Sequence, residues 1–532
     1  MTFEQETARR RTFAIVSHPD AGKTTLTEKL LLYGGAVQLA GSVTARKKER
    51  ATVSDWLEIE RKRGISVSTT VLNFDYHGYR INLLDTPGHK DFSEDTYRVL
   101  SAVDSVVMVI DGGKGIEKQT KKLFDVCRRR KIPVFTFVNK MDRPALATLS
   151  IFDEIESALH IKAYPLNWPL GSGTDFKGVW DRRTGLAHLF ERTINGAYRA
   201  PVVTHGFHGP AMKELLGEQA HQALCEEIEL VGHALPEFDL QSVMRGDTTP
   251  VFFGSAANNF GVELLLDGFL EFSPPPVSRT SGATEIGPDH PGFSGFIFKI
   301  QANLDPRHRD RMAFIRIVSG KFTRDMWVTH VQSGKKVRLS NSNSVFGRDR
   351  ESIDEAYPGD IIGIVGGVYL KIGDTLSEDP DIVYNEIPRF PPECFAYLHN
   401  PTPSNYKRFQ NGLDQLIQEG LVHRFSIVGA AQNTPLLAAV GPLQFDLVHY
   451  RLESEYGALA RLEAAPWKFV RWIENPAGAD NGFQMPSGAE RAVDLCGAPV
   501  LLFPAEWHID YFMEKNAGVV LNAYPRSGPL RP

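Results

Sequence analysis

The segment Ser17-His18-Pro19-Asp20-Ala21-Gly22-Lys23-Thr24 puts a lysine and a hydroxyl behind a short turn, the Walker A spacing with Ser17 in place of the usual first glycine. Between a strand and a helix, the backbone N–H groups of residues 20 to 24 would wrap phosphates at the helix N-terminus. Lys23 would neutralise β/γ oxygens, and the Thr24 hydroxyl would ligate Mg2+. A tight strand–helix turn that happens to contain Gly-Lys-Thr would look the same, and the segment alone does not separate the two readings.

Three further segments do. Asp85-Thr86-Pro87-Gly88-His89 follows the apolar strand Ile81 to Leu84. Asp85 is then placed to hold Mg2+ through water, and the Gly88 N–H to sense a γ-phosphate. Asn139-Lys140-Met141-Asp142 comes directly after the apolar run Val134 to Val138. The Asp142 carboxylate can accept two hydrogen bonds, from guanine N1–H and the exocyclic amine, a pair of donors that adenine lacks. Asn139 would tie this loop to the phosphate loop, and the Lys140 stem would pack on the base. Gly254-Ser255-Ala256, after another strand, would bring backbone N–H groups near guanine O6. Together and in this order, the four segments specify a site for GTP with Mg2+ and outweigh the reading of each as a solvated loop.

Elements of a particular kind have to carry such loops. Strands are expected at Thr12 to Ser17, Tyr79 to Leu84, Val106 to Ile110 and Val134 to Val138, with helices at Lys23 to Tyr33 and Lys118 to Arg130. Strand and helix in alternation imply a parallel sheet covered on both faces, with ligands at the carboxyl ends of the strands. Residues from about 150 to 250 interrupt the pattern with loops and one helix, whose face carries Leu216, Ala220, Leu224, Ile228 and Val231. Phe272-Ser273-Pro274-Pro275-Pro276 reads as a stiff linker.

The first domain is therefore expected over 1–275, an α/β P-loop domain with an inserted subdomain. Strands at Gly295 to Ile300, Arg311 to Val318, Trp327 to His330, Lys336 to Leu339 and Asp360 to Ile364 suggest a small antiparallel β-barrel over 285–385. In it Phe296, Phe298 and Ile300 alternate with other residues. Beyond a break at Pro388 to Pro392, residues 390–532 read as a C-terminal α/β sandwich. Its helical faces are Tyr406, Phe409, Leu413 and Leu416, then Phe445, Val448 and Leu452, with strands near Val422 to Val428 and Leu436 to Val440.

Length agrees, since 532 residues are too many for one hydrophobic core. With 42% hydrophobic and 23% charged residues, the chain has ordinary globular composition. Its formal charge of −5 argues against coating nucleic acid by bulk charge, though not against a local RNA contact. Cys127, Cys225, Cys394 and Cys496 lie far apart, which offers neither a zinc knuckle nor a disulfide framework. No signal-peptide core or membrane span is visible, and a cytoplasmic protein is expected.

At this point the residues resemble the translational GTPases. Arg63-Gly64-Ile65-Ser66 is similar to the family's first switch, and Ser66 stands at the threonine that meets Mg2+ and the γ-phosphate. His89 matches the catalytic histidine that positions the attacking water, and Asp20 the acid that supports a monovalent cation. Within the family the chain resembles the class II release factors over nearly its whole length. The signatures are the phosphate loop with its Ser17 and Pro19, Ser54-Asp55-Trp56, Asp91 to Arg98, and Trp168-Pro169. Phe298 to Asn303, His308 to Arg311 and Gly441-Pro442-Leu443-Gln444-Phe445-Asp446 complete them, while the match weakens from about Glu474. The resemblance implies a ribosome-stimulated GTPase of translation termination. Its partners would be ribosomal RNA and proteins and the codon-reading release factors, and it would act as a monomer without a membrane. Arg128-Arg129-Arg130-Lys131 reads as a cationic helix end, whereas Arg46 to Arg50 and Arg307 to Arg311 could touch RNA or solvent. An elongation factor G type ribosomal GTPase and the GTPase partner of a sulfate adenylyltransferase are the rival readings.

Overall fold

The computed structural model describes residues 1–36, 60, 66–191, 202–207, 209–234, 237–302, 311–346, 349–366, 370–388, 390–430, 434–474 and 482–524. Arg46 to Arg50, Ser54 to Trp56, Arg63 to Ile65, Asn303 and Arg307 to Asp310 lie outside the described residues.

The chain opens with α1 (Phe3–Ala8), β1 (Arg10–Ser17) and α2 (Lys23–Tyr33). The strands β2 (Thr70–Tyr76) and β3 (Tyr79–Asp85) follow, then α3 (Ser93–Ala102) and β4 (Ser105–Asp111). Next come α4 (Lys118–Arg129), β5 (Val134–Asn139), α5 (Thr148–Leu159) and β6 (Lys162–Pro165). Every residue of β1, β4 and β5 is buried, as continuous apolar runs must be when helices cover both faces of a parallel sheet. In α4 the buried residues Thr120, Leu123, Phe124 and Cys127 recur at helical spacing, while its lysines and arginines face outward.

The interval read as loops and one helix contains a second sheet. The strands β7 (Asn167–Leu170), β8 (Gly178–Asp181), β9 (Leu186–Phe190) and β10 (Val202–Gly206) pair antiparallel in the order β10-β9-β8-β7. They are too short, and too often interrupted by turns, to show a period of two in the sequence. The expected helix is broken in two at Gly217, whose φ of 80° ends Pro210–Leu216 before Glu218–Ala234 begins. Leu216 and Ala220 therefore do not share one face, and Ala220 is exposed. β6 lies in the same interval, yet it joins β11 (Thr248–Phe253) at the edge of the main sheet, whose order is β2-β3-β1-β4-β5-β11-β6.

The barrel's central strands, Ser294–Ala302 and Arg311–Ser319, are buried at every position because two cores claim their two faces. Ile297, Ile300, Ile315 and Ile317 fill the barrel, while Phe296, Phe298, Met312 and Phe314 pack on the first domain. An irregularity between Ile297 and Lys299 shifts the register, so Phe296 and Phe298 do not share a face with Ile300. In the C-terminal domain one antiparallel sheet carries the helices Tyr406–Gln418 and Pro442–Tyr456. Phe409, Leu413 and Leu416 are buried, but Tyr406, at the helix start, is 62% exposed. Residues beyond Glu474 belong to that sheet: Glu490–Asp494 pairs with His423–Ile427, and Pro499–Phe503 with Phe469–Ile473. Among the described residues, no helix is long and apolar enough to cross a membrane.

The first domain and the barrel are joined through buried charge. Arg316 and Asp104 are each 1% exposed and lie 2.5 Å apart, and Arg316 also donates to the Gly359 carbonyl at 2.7 Å. Arg10 pairs with Asp360 at 2.7 Å beside them. Arg130, read from the sequence as part of a cationic helix end, reaches Glu386 at 3.0 Å. Because a buried ion that loses its partner keeps its desolvation cost, Asp104→Asn should destabilise the docked pair of domains by about 3 to 5 kcal/mol. The expected result is a lower midpoint for the first transition in urea unfolding. An unchanged midpoint would show that the pair adds nothing to docking.

Candidate nucleotide site

β1, β3, β5 and β11 are adjacent or nearly so, and all end on the same side of the sheet, where their loops converge. The loop between β1 and α2 holds Asp20 at φ 66° and Gly22 at φ 97°, a pair of left-handed residues that turns the backbone around a helix N-terminus. A side chain at residue 22 is excluded twice, by that φ and because a Cβ would stand 2.3 Å from Asn139 Nδ2. Asn139 is there because it joins two loops. Its Nδ2 donates to the Ala21 carbonyl at 2.8 Å, and its Oδ1 accepts from the Ala256 N–H at 2.8 Å.

Lys140 sits at φ 67° and turns its ammonium back to the Asp20 carbonyl at 2.5 Å and to Asp111 Oδ2 at 2.7 Å. Burial resists ionisation of Asp111, but Lys140 and the Gly113 N–H outweigh it and hold the carboxyl below its ordinary pKa. Met141 is buried beneath the loop and donates its N–H to the Gly254 carbonyl at 3.1 Å. Asp142 Oδ1 accepts from the Ser255 hydroxyl at 2.6 Å, which aims the carboxylate from a fixed side. Ser255 and Ala256 are themselves fully buried.

At the phosphate end, Lys23 Nζ lies 2.5 Å from Asp85 Oδ1 in a buried ion pair. The hydroxyls of Thr24 and Ser66 meet at 3.5 Å. Thr24, Ser66 and Asp85 together present hard oxygen donors, a set that suits Mg2+. Ser17 is buried at the end of β1, and the wholly buried His18 ring has the Glu117 carboxylate 3.5 Å away. Burial nevertheless holds the His18 imidazole below its ordinary pKa, and so neutral. The Thr86 hydroxyl donates to the Ile15 carbonyl at 2.8 Å, fixing the turn in which Pro87 and Gly88 follow. Gly88 lies against the backbone of His18 and Pro19. His89, 28% exposed, accepts the Asp91 N–H at Nδ1 over 3.2 Å.

Some residues escaped the sequence reading. Asp111 closes an apolar strand as Asp85 and Asn139 do, and that position was its signal. Lys299 had none. It comes from the barrel, is buried, and donates to the Ser68 hydroxyl at 2.8 Å and to the Thr69 carbonyl, just beyond Ser66. Glu60 and Asp95 hold the same stretch: Glu60 accepts the Val67 N–H at 3.0 Å, and Asp95 the Thr69 N–H at 2.8 Å.

Residues 8–275 match the model of the Elongation factor Tu GTP binding domain, and residues 292–379 that of Elongation factor G domain 2. Residues 384–513 match the C-terminal domain of Class II release factor RF3. A relative from Gloeobacter violaceus, called peptide chain release factor 3, is 52% identical over 516 residues, 97% of this chain and 97% of its own length. Another of that name, from Synechococcus elongatus, is 50% identical over 506 residues, 95% and 91% of the two chains. A crystal structure from Thermus thermophilus shares the fold at a TM-score of 0.69 and 24% identity, over 92% of this chain and 72% of that one.

Asp142→Asn tests the base contact. It replaces an acceptor-only group with one that also donates, and an unpaired buried donor costs on the order of 2 kcal/mol. Xanthine carries a carbonyl where guanine carries its amine, so the variant should shift preference from GTP toward XTP in competition binding. An unaltered preference would remove Asp142 from base reading.

Proposed function

Because this chain belongs to the peptide chain release factor 3 family, and so is a GTPase acting in translation termination, we propose that the ribosome stimulates its hydrolysis at the corner formed by Lys23, Thr24, Ser66, Asp85 and His89. One observation carries this reading. Residues from three separate segments converge there, with the Thr24 and Ser66 hydroxyls 3.5 Å apart and Lys23 against Asp85.

Ser17 to Thr24 cradle the phosphates, and Asn139 to Asp142 with Ser255 and Ala256 take the guanine. Lys23 turns from Asp85 to the β/γ oxygens, so that the negative charge it faces is always close and desolvated. Thr24 and Ser66 would hold Mg2+ directly and Asp85 through water, the ion neutralising charge that develops on the transferred phosphoryl group. Gly88 offers its N–H to the γ-phosphate. His89 orients the attacking water, its partly exposed ring open to ribosomal RNA. In its GTP form the chain binds a terminated ribosome and drives off a codon-reading release factor, and hydrolysis lets it leave. It works as a cytoplasmic monomer, with ribosomal RNA and proteins and the codon-reading release factors as partners.

His89→Ala should leave GTP binding intact but lower ribosome-stimulated turnover by a factor on the order of 10². Turnover equal to the parent's would take His89 out of the reaction. A second assay pair distinguishes termination from elongation. With GTP the chain should speed the departure of a labelled codon-reading release factor from terminated ribosomes and give no toeprint shift on pre-translocation ribosomes. A one-codon shift without any effect on release-factor departure would favour the elongation reading.

A further inference from the structure

The helix Pro442–Tyr456 has glycine at its N-cap, where a side chain ordinarily accepts one of the first free N–H groups. The cap comes instead from another domain. Asp91 Oδ2 accepts the N–H of Leu443, in the first turn of the helix, at 2.9 Å. Gly441 is extended, with φ −149° and ψ 160°, so its backbone does not call for glycine. Its surroundings do, because a Cβ at residue 441 would stand 2.2 Å from Asp91 Cγ. Asp91 is 3% exposed, and Phe92, Val67 and Leu447 form an apolar cluster beside it. Its other oxygen, Oδ1, lies 3.5 Å from His89 Nδ1, the nitrogen that accepts the Asp91 N–H at 3.2 Å. Asp91 therefore spans from the helix start in the C-terminal domain, through its carboxylate, to the imidazole at the nucleotide corner, through its N–H.

We infer that Asp91 is a positioning residue for GTP hydrolysis, and that the C-terminal domain sets the orientation of the His89 ring through it. This rests on the role proposed above for His89. A carboxylate fixed by a helix N–H, with the helix dipole favouring its charge, is not free to rotate. The Asp91 N–H donates to Nδ1, with Oδ1 3.5 Å away on the same side, which leaves Nε2 to face the attacking water. A displacement of the helix start on the order of 1 Å would move Asp91 and the ring with it, and errors of that size can cost two orders of magnitude in rate.

The test uses the full-length chain with purified ribosomes and GTP. Asp91→Asn keeps the shape but turns an amide toward His89 or Leu443. Gly441→Ala alters no residue of the hydrolytic corner and acts by displacing Asp91. Each should lower kcat by a factor on the order of 10, with GDP and GTP affinities within about twofold of the parent. In a His89→Ala background, Asp91→Asn should cost nothing further, since it acts through the missing ring. Full activity of Asp91→Asn, an equal further loss without His89, or a fall in GDP affinity that matches the fall in kcat would each overturn the inference. If Gly441→Ala does not fold, the near-isosteric Asp91→Asn decides alone. Normal turnover of His89→Ala by itself would instead remove the reading of His89 on which the inference stands.

Discussion

Asn139 makes two hydrogen bonds in opposite directions, one to the carbonyl of Ala21 and one from the N–H of Ala256, and the nucleotide corner is a single unit because of them. A loop with left-handed backbone at Asp20 and Gly22 is strained and needs support from outside. Asn139 grips it from behind, and Lys140 grips it again at the Asp20 carbonyl. Both residues are held because β5, buried at every position between β4 and β11, leads directly into them. The loops of residues 17–24 and 139–142 thus share one support, and neither can shift without the other.

The same economy recurs between domains, where buried charges rather than apolar surface alone define the docking. Arg316 with Asp104 and Arg10 with Asp360 join the barrel to the first domain. Arg451 and Glu419, 2.5 Å apart, stand behind the junction with the C-terminal domain, and Glu419 also accepts the Ala302 N–H of the barrel at 2.8 Å. Such pairs add little net stability once desolvation is counted, but they tolerate only one arrangement, because a shifted interface leaves ions buried without partners. Lys299 shows the consequence. Burial pulls its pKa below the ordinary lysine value, against the attraction of Asp95, Glu419 and Glu60, and the ammonium is held only where the Ser68 and Thr69 oxygens receive it. The stretch after Ser66 is therefore set by the barrel as well as by its own domain.

The four loop segments and the sheet that carries them are legible in the amino-acid order. Phosphate and guanine chemistry demand particular residue types a few positions apart, and fully covered strands demand unbroken apolar runs such as Val106 to Ile110. The amino-acid order also separated a strand-rich middle from a mixed C-terminal region. It did not show the sheet β7 to β10, whose strands of four or five residues carry no legible period. The alternation of Phe296, Phe298 and Ile300 does not tell that Ile300 faces another core, because a register shift leaves no mark in composition. Tertiary structure alone decided which distant charges meet. Asp91 and Gly441 looked like parts of two separate motifs, and Lys299 like a strand residue. Their meaning lies in contacts across hundreds of residues, and a side chain's local spacing says nothing about what another domain will press against it.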